Sequence, residues 1–131
     1  MKNILLLAVL SLSLNLFAQL QIPDLKFIFE SKSDFTKQFT DKENSKAFTL
    51  KIEGVNSQDQ IKMLQKTVSN ARGVEFFNTE LDDQGNLNAK LTVYRYATGF
   101  WYWKSFMDIT GVPIFTIEGV DYNKNTISTT K

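Results

Sequence analysis

The sequence has 131 residues, of which 43% are hydrophobic and 22% charged, and this length and composition are those of one globular domain. Its 15 basic and 14 acidic residues leave a net charge of +1, so no strong field favours nucleic acid as a partner. Because the chain contains no cysteine and no histidine, it cannot use disulfides, thiol nucleophiles, cysteine or histidine zinc sites, or histidine acid–base chemistry.

The N-terminus has the pattern of a cleavable signal peptide. Lys2 gives it a positive start, residues 4–17 are mostly apolar, and Ala18 is a small residue at the cleavage position. A membrane anchor is the weaker alternative, because a spanning helix needs roughly 20 apolar residues. We therefore predict a signal peptide over residues 1–18 that is cut after Ala18. The mature chain would be periplasmic or secreted, with no stable membrane span.

Residues 19–46 are predicted to be an N-terminal arm or linker. They contain a short apolar run over 25–29 and a polar stretch with Phe35 and Phe39. Two interpretations stay open for this segment. It is either a partly ordered arm, or a strand or short helix that covers an exposed face of a sheet.

Residues 47–122 are predicted to be the folded domain. Alternating apolar and polar residues indicate a strand over 47–53. Ser57 and Gln60 form a capping box that starts a helix, and Gly73 is placed to end it. Strands over 74–81 and 87–96 follow, joined by a hairpin loop around Gly85. A second helix through about residue 109 and a strand over 114–120 complete the domain, and residues 123–131 form a polar tail.

The order of these elements is β-α-β-β-α-β. This order is typical of the split βαβ arrangement, in which two helices pack on one face of a sheet. We therefore predict an α+β, ferredoxin-like sandwich with a four-stranded antiparallel sheet and both helices on one face, preceded by the N-terminal arm.

Three segments carry a further signal, namely Leu50-Lys51-Ile52-Glu53-Gly54-Val55, the helix from Ser57, and Ala71-Arg72-Gly73-Val74. Through them, residues 48–120 resemble the heavy-metal-associated domain family of copper and zinc chaperones. In that family, a loop with two cysteines binds the metal. The corresponding positions here are Ser57 and Gln60, whose hydroxyl and amide groups are poor ligands for Cu(I). The resemblance therefore implies the fold without the metal site, and no cofactor is expected.

Other groups that could carry chemistry have simpler explanations. The loop with Asp82 and Asp83 lacks the spaced oxygens and terminal glutamate of an EF-hand, and such residues usually form turns. The Ser57 hydroxyl has no histidine to activate it. Solvated strand faces explain the acidic residues that could act as an acid–base pair, namely Glu75, Glu80 and Glu118. We predict that the protein is not an enzyme, and an unrecognised hydrolase remains the weakest alternative.

The densest sequence signal is a group of aromatic residues around the second helix. On a helical wheel, Trp103 lies on the core side, whereas Trp101 lies on the opposite side with Lys104, Ser105 and Asp108. Tyr94 and Tyr96 are predicted to point to the side of the sheet away from the helices, together with either Phe76 or Phe77. An apolar sheet face of this kind would be covered by the arm, a partner or a second subunit. The candidate partner-binding residues are Trp101, Tyr94, Tyr96 and Phe76.

These observations predict an exported, non-catalytic binding module of the bacterial cell envelope. Its expected partner is an unknown protein or envelope component, with a homo-oligomer as a further possibility and nucleic acid excluded. The alternative is a periplasmic protein that binds a small ligand, or a metal through oxygen ligands.

Overall fold

The computed structural model describes residues 19–31, 43–97 and 99–127. They form an α+β structure with two helices and a six-stranded mixed sheet. The predicted signal peptide, Phe35 and Phe39 lie outside the described residues. The elements in chain order are β1 (Lys26–Phe29), β2 (Ser45–Glu53), α1 (Gln58–Ser69), β3 (Val74–Leu81), β4 (Leu87–Tyr94), α2 (Gly99–Thr110), β5 (Ile114–Ile117) and β6 (Val120–Tyr122).

The strand order in the sheet is β3-β4-β2-β1-β5-β6. All neighbouring strands are antiparallel except β1 and β5, which run parallel. The prediction of an α+β domain with two helices is confirmed, but the sheet has six strands rather than four and includes one parallel pair. One additional strand, β1, comes from the segment predicted to be an arm outside the sheet. The other, β6, begins within the segment predicted to be a single strand over 114–120.

The first additional strand is β1, which belongs to the segment predicted to be an arm. Phe27 lies between Ile52 of β2 and Phe115 of β5, so β1 is an interior strand and does not cover the outer face. Leu20 and Leu25, which precede it, are also buried. A strand of only four residues carries too little alternation to be recognised from its pattern, which is why the sequence interpretation differed.

The second additional strand is β6. The segment predicted to be one strand over 114–120 reverses direction at residues 118–119, so that it forms β5 and the start of β6, which pair as a hairpin. Glu118 and Gly119 have φ angles of +52° and +81°, as the two central residues of a type I′ hairpin turn require. The chain then continues into the segment predicted to be a polar tail. Within its described part, Ile127 is completely buried, so this segment contributes to the core.

Both helices pack on the same face of the sheet, and one hydrophobic core lies between them and the strands. At the start of α1, the Ser57 hydroxyl accepts a hydrogen bond from the Gln60 amide, which confirms the predicted cap. The Gln60 side chain accepts in turn from the Asn56 amide, one residue earlier than in a standard capping box. Both side chains are therefore engaged in starting the helix.

An irregularity in β3 decides which of two adjacent phenylalanines is buried. The pairing with β4 shifts between Val74 and Phe76, so Glu75 is the extra residue of a β-bulge. The bulge lets Val74 and Phe77 both face the core, whereas Phe76 points to the opposite side.

Replacing Gly54 tests whether the segment before β1 is an integral part of the fold. Gly54 has a φ of +87°, and a Cβ atom added there would lie 2.0 Å from the Asp24 carbonyl oxygen. We expect Gly54→Ala to lower the free energy of unfolding by at least about 3 kcal/mol, because backbone strain adds to the clash. Urea unfolding followed by circular dichroism measures the loss.

Gly85→Ala is the matched control for that experiment. Gly85 also has a positive φ, of +81°, but an added Cβ atom would meet nothing within 4 Å. The control therefore measures the cost of backbone strain alone, which we expect to lower the free energy of unfolding by about 1 kcal/mol. Equal losses at the two positions would show that residues 24 and 25 do not pack on Gly54.

Candidate functional site

The two tryptophans of α2 have opposite environments. Trp103 is 1% exposed and contacts the Phe48 ring edge-on, with 5.4 Å between the ring centroids. Trp101 is 78% exposed, the largest fraction among the exposed large hydrophobic residues of the described chain. Residues two positions apart in a helix are separated by about 200° of rotation around its axis. Fixing Trp103 in the core therefore directs Trp101 towards solvent. The sequence prediction for both side chains is confirmed.

The three other predicted partner-binding residues are also exposed, and they lie at one end of the sheet. Tyr94, at the end of β4, stacks on Tyr96, with ring centroids 5.9 Å apart and ring planes 12° from parallel. Phe76 pairs with Thr92 of β4 and is on the same outer face as Tyr94. Phe76 is 54% exposed and Tyr96 63% exposed.

A cleft of about 300 Å³ connects Tyr96 to Trp101. Arg72 from the turn before β3 and Tyr102 from α2 also line it. Tyr96 thus connects the cleft at Trp101 to Tyr94, and Phe76 shares the outer face of the sheet with Tyr94. We call these four residues the aromatic strip. It runs from the outer face of the sheet around its end to the exposed side of α2.

Tyr102 fixes the wall of this cleft. Its hydroxyl donates a hydrogen bond of 2.8 Å to the Arg72 carbonyl, and its ring lies so close to Gly73 that no side chain would fit there. Burial raises the pKa of Tyr102, with a smaller contribution from Tyr96. The phenol therefore remains a neutral hydrogen-bond donor and connects α2 to the turn that carries Arg72.

A second groove, of about 420 Å³, also borders Trp101. The Lys104 ammonium group lies 5.7 Å from the centroid of the Trp101 ring, within the range of a cation–π contact. Across this groove, Lys124 forms a salt bridge of 3.0 Å with Asp108. The remaining lining groups are the Ser105 hydroxyl and the Asn125 amide.

The sequence pattern identified part of this site. Lys104, Ser105 and Asp108 share a helical face with Trp101, and the helical wheel placed them together. Arg72 and Lys124 were missed because they reach the site from turns that are distant from α2 in the sequence. No local pattern indicates such an approach.

The outer face of the sheet is less apolar than the sequence predicted. The outward residues of β2 and β4 include Thr49, Lys51, Lys90 and Thr92, so the face is largely polar. Its exposed aromatic residues are concentrated at the end near Tyr94. Of the predicted arm, residues 20–29 contribute to the core and to β1, and residues 45–46 begin β2, so these segments do not cover this face.

The loop at Asp82 is a turn. One carboxylate oxygen of Asp82 accepts hydrogen bonds from the backbone amides of Gln84 (2.9 Å) and Asn86 (2.8 Å). These bonds, the one from Asn86 foremost, hold the pKa of Asp82 below its ordinary value. The carboxylate therefore organises the hairpin, in agreement with the interpretation from the sequence.

The acidic residues considered for acid–base chemistry are too far apart to act as a pair. Glu75 and Glu80 are five residues apart on one strand, which is about 16 Å. Glu118 follows β5, and three strands separate β5 from β3, a distance of about 19 Å at the usual strand spacing. Paired carboxylates in glycosidases lie within about 10 Å of each other.

Within residues 19–31, 43–97 and 99–127, no group of three or more acidic residues is close enough to hold a metal ion. In the same part of the chain, neither helix is long and apolar enough to cross a membrane. Comparison with known proteins finds no matching family model, no similar curated protein and no similar solved structure. A function for this chain is therefore inferred from the geometry of the aromatic strip and the adjacent groove.

Alanine substitutions at the two tryptophans test this assignment. We expect Trp101→Ala to change the free energy of unfolding by less than about 1 kcal/mol, because little of its side chain is buried. Trp103→Ala should cost about 3–5 kcal/mol through loss of core packing. Urea titration measures both values, and iodide quenching of the fluorescence checks the exposure. A large loss of stability at Trp101, or equal quenching of the two indoles, would contradict the structure.

Proposed function

We propose that the chain is an exported, non-catalytic binding module of the bacterial cell envelope, which contacts its partner through the aromatic strip. The observation that carries this proposal is the exposed Trp101 indole on a helix whose opposite side is buried. Folding alone does not account for an indole in this position, because Trp101 is largely exposed and is not one of the core residues. Exposed aromatic residues with polar neighbours are typical of binding surfaces.

The arrangement of the strip supports recognition rather than catalysis. Its side chains provide flat apolar surfaces, with hydrogen-bonding and charged groups around them. The candidate nucleophile, the Ser57 hydroxyl, is committed to capping α1. The carboxylates considered as acid and base lie about 16 Å apart along β3 for Glu75 and Glu80, and about 19 Å away across the sheet for Glu118. A surface of this composition stabilises a complex through contact area and a few directed polar interactions.

Export of the chain is part of the same proposal and is supported by the position of the predicted cut. Cleavage after Ala18 would leave Gln19 as the first residue. Its side-chain amide donates a hydrogen bond to the Asp108 carbonyl, and the next residue, Leu20, is buried. Removing residues 1–18 would therefore retain Leu20 and all the core residues that follow it.

We propose further that the sheet is an elaborated ferredoxin-like fold. With β1 and β6 set aside, the remaining order is β3-β4-β2-β5, with each strand antiparallel to the next in direction. This is the order expected for a split βαβ arrangement, interrupted by β1 between β2 and β5. The likeness in topology concerns the fold and adds nothing about a metal site.

Retention of an envelope component by variants of the aromatic strip tests the proposed function. The processed chain, residues 19–131, would be immobilised and exposed to envelope extract, and the retained material quantified. We expect the double variant Tyr96→Ala, Trp101→Ala to retain at least tenfold less of the component bound by the unaltered chain, because both ends of the cleft are removed.

Leu81→Ala is the control for this experiment. Leu81 is 50% exposed and lies at the end of β3 remote from Phe76. Like the strip variants, this substitution removes an exposed apolar side chain, but it leaves the aromatic strip unaltered. It should therefore leave retention of the envelope component unchanged. If the unaltered chain, the double variant and Leu81→Ala retain the envelope component equally, the aromatic strip does not bind it and the proposed function is refuted.

A further inference from the structure

We propose that the groove along the exposed side of α2 binds an acidic polysaccharide, with a sugar ring stacked on Trp101 and its carboxylates held by Arg72 and Lys104. This inference rests on the proposed binding function and specifies the chemistry of the partner. It depends on three properties of the groove, namely its length, its lining and its charge.

The groove is long enough for a chain-like ligand. The cleft between Tyr96 and Trp101 is followed along α2 by the larger groove at Lys104, and a third cleft of about 290 Å³ extends it to Pro113. The second and third share Asp108, Lys124 and Asn125 as lining residues, so they are continuous. Together they follow α2, whose 12 residues span about 18 Å.

The lining fits a chain of sugar rings. A pyranose ring has an apolar face of C–H groups, which suits an exposed indole, and a rim of hydroxyls, which need donors and acceptors. Beyond Trp101, the larger groove offers an ammonium group, a hydroxyl, a carboxylate and an amide, from Lys104, Ser105, Asp108 and Asn125.

The same lining is unsuited to a peptide. An extended peptide usually adds to an exposed strand edge, and a helical peptide needs a wide apolar groove. Here the walls are the side of α2 and the turn over residues 123–125, neither of which is a strand. The exposed groups of the larger groove are polar apart from Trp101.

The charge of the groove favours an acidic sugar. Among the described residues that line these clefts, Arg72, Lys104 and Lys124 are cationic, and Asp108 is the one carboxylate. That carboxylate is already paired with Lys124 at 3.0 Å. In the part of the chain that the structure describes, neither Arg72 nor Lys104 forms a salt bridge. The Lys104 ammonium group lies beside the indole, 5.7 Å from its centroid, and Arg72 lines the same cleft as Trp101, so both cations can pair with the carboxylates of a ligand at the ring.

Titration with defined oligosaccharides tests the inference. The probes are tetramers of galacturonate, glucuronate and mannuronate, compared with a neutral glucose tetramer and with a poly-glutamate peptide. Calorimetry and Trp101 fluorescence report binding to the processed chain. We expect at least one hexuronate tetramer to bind at least tenfold more tightly than the glucose tetramer and the peptide, and to bind more weakly as salt rises.

Variants assign the binding to the groove. Trp101→Ala and the double variant Arg72→Gln, Lys104→Gln should each weaken hexuronate binding at least tenfold, whereas Leu81→Ala should not change it. Three results would overturn the inference. They are binding of the peptide as tight as that of the hexuronates, hexuronate binding that survives Trp101→Ala, and absence of binding by all three hexuronates.

The outcome is separable from that of the proposed function. If no hexuronate binds but the envelope component is still lost from the Tyr96→Ala, Trp101→Ala variant, the strip binds a partner of another class. If the variant retains the envelope component fully, the proposed function itself fails.

Discussion

Four residues, Lys26–Phe29, connect the two halves of the sheet, because β2 and β5 pair with β1 and not with each other. Phe27 stacks with Phe115 at 5.8 Å and with Phe77 at 6.1 Å between ring centroids, and so connects strands on both sides of β1. Burying a phenylalanine side chain contributes about 1.5–3 kcal/mol. The position of β1 therefore determines both the hydrogen bonding of the sheet and the centre of the core.

The orientation of α2 follows from this core. Phe29 and Phe115 contact the Trp103 ring, and Phe106 contacts Phe27, so one side of the helix is fixed against β1 and β5. The periodicity of the helix then places Trp101 on the solvent side. The turn over 94–97 places Tyr96 beside α2, where the side chains of Tyr96 and Trp101 border one cleft. The surface that we propose to bind a partner is thus a consequence of how the phenylalanines of β1 are packed.

The sequence predicted those parts of the structure whose signals are local. The capping residues of α1, the alternation in β2 and β4, and the opposite faces of α2 are each determined within one element. The exposed positions of Tyr94 and Trp101 follow from that periodicity, whereas Tyr96 lies in the turn after β4 and the choice between Phe76 and Phe77 required the β-bulge at Glu75.

Features that depend on contacts distant in sequence could not be predicted in this way. β1 is recognisable only from the two strands beside it, whose paired residues lie more than 20 positions away in the chain. The turn at Glu118 was missed because glutamate is an unusual residue at a positive φ. The contributions of Arg72 and Lys124 to the groove likewise depend on how separate turns meet α2 in the folded chain.

Amide hydrogen exchange of β1 in the processed chain tests the central claim most directly. Because β1 is paired on both sides, the amides of Phe27 and Ile28 should be as protected as those of β2 and β4, and should exchange only through global unfolding. Exchange of these amides at the rate of the exposed hairpin over residues 83–85 would contradict the account, since β1 could not then connect the sheet or fix α2.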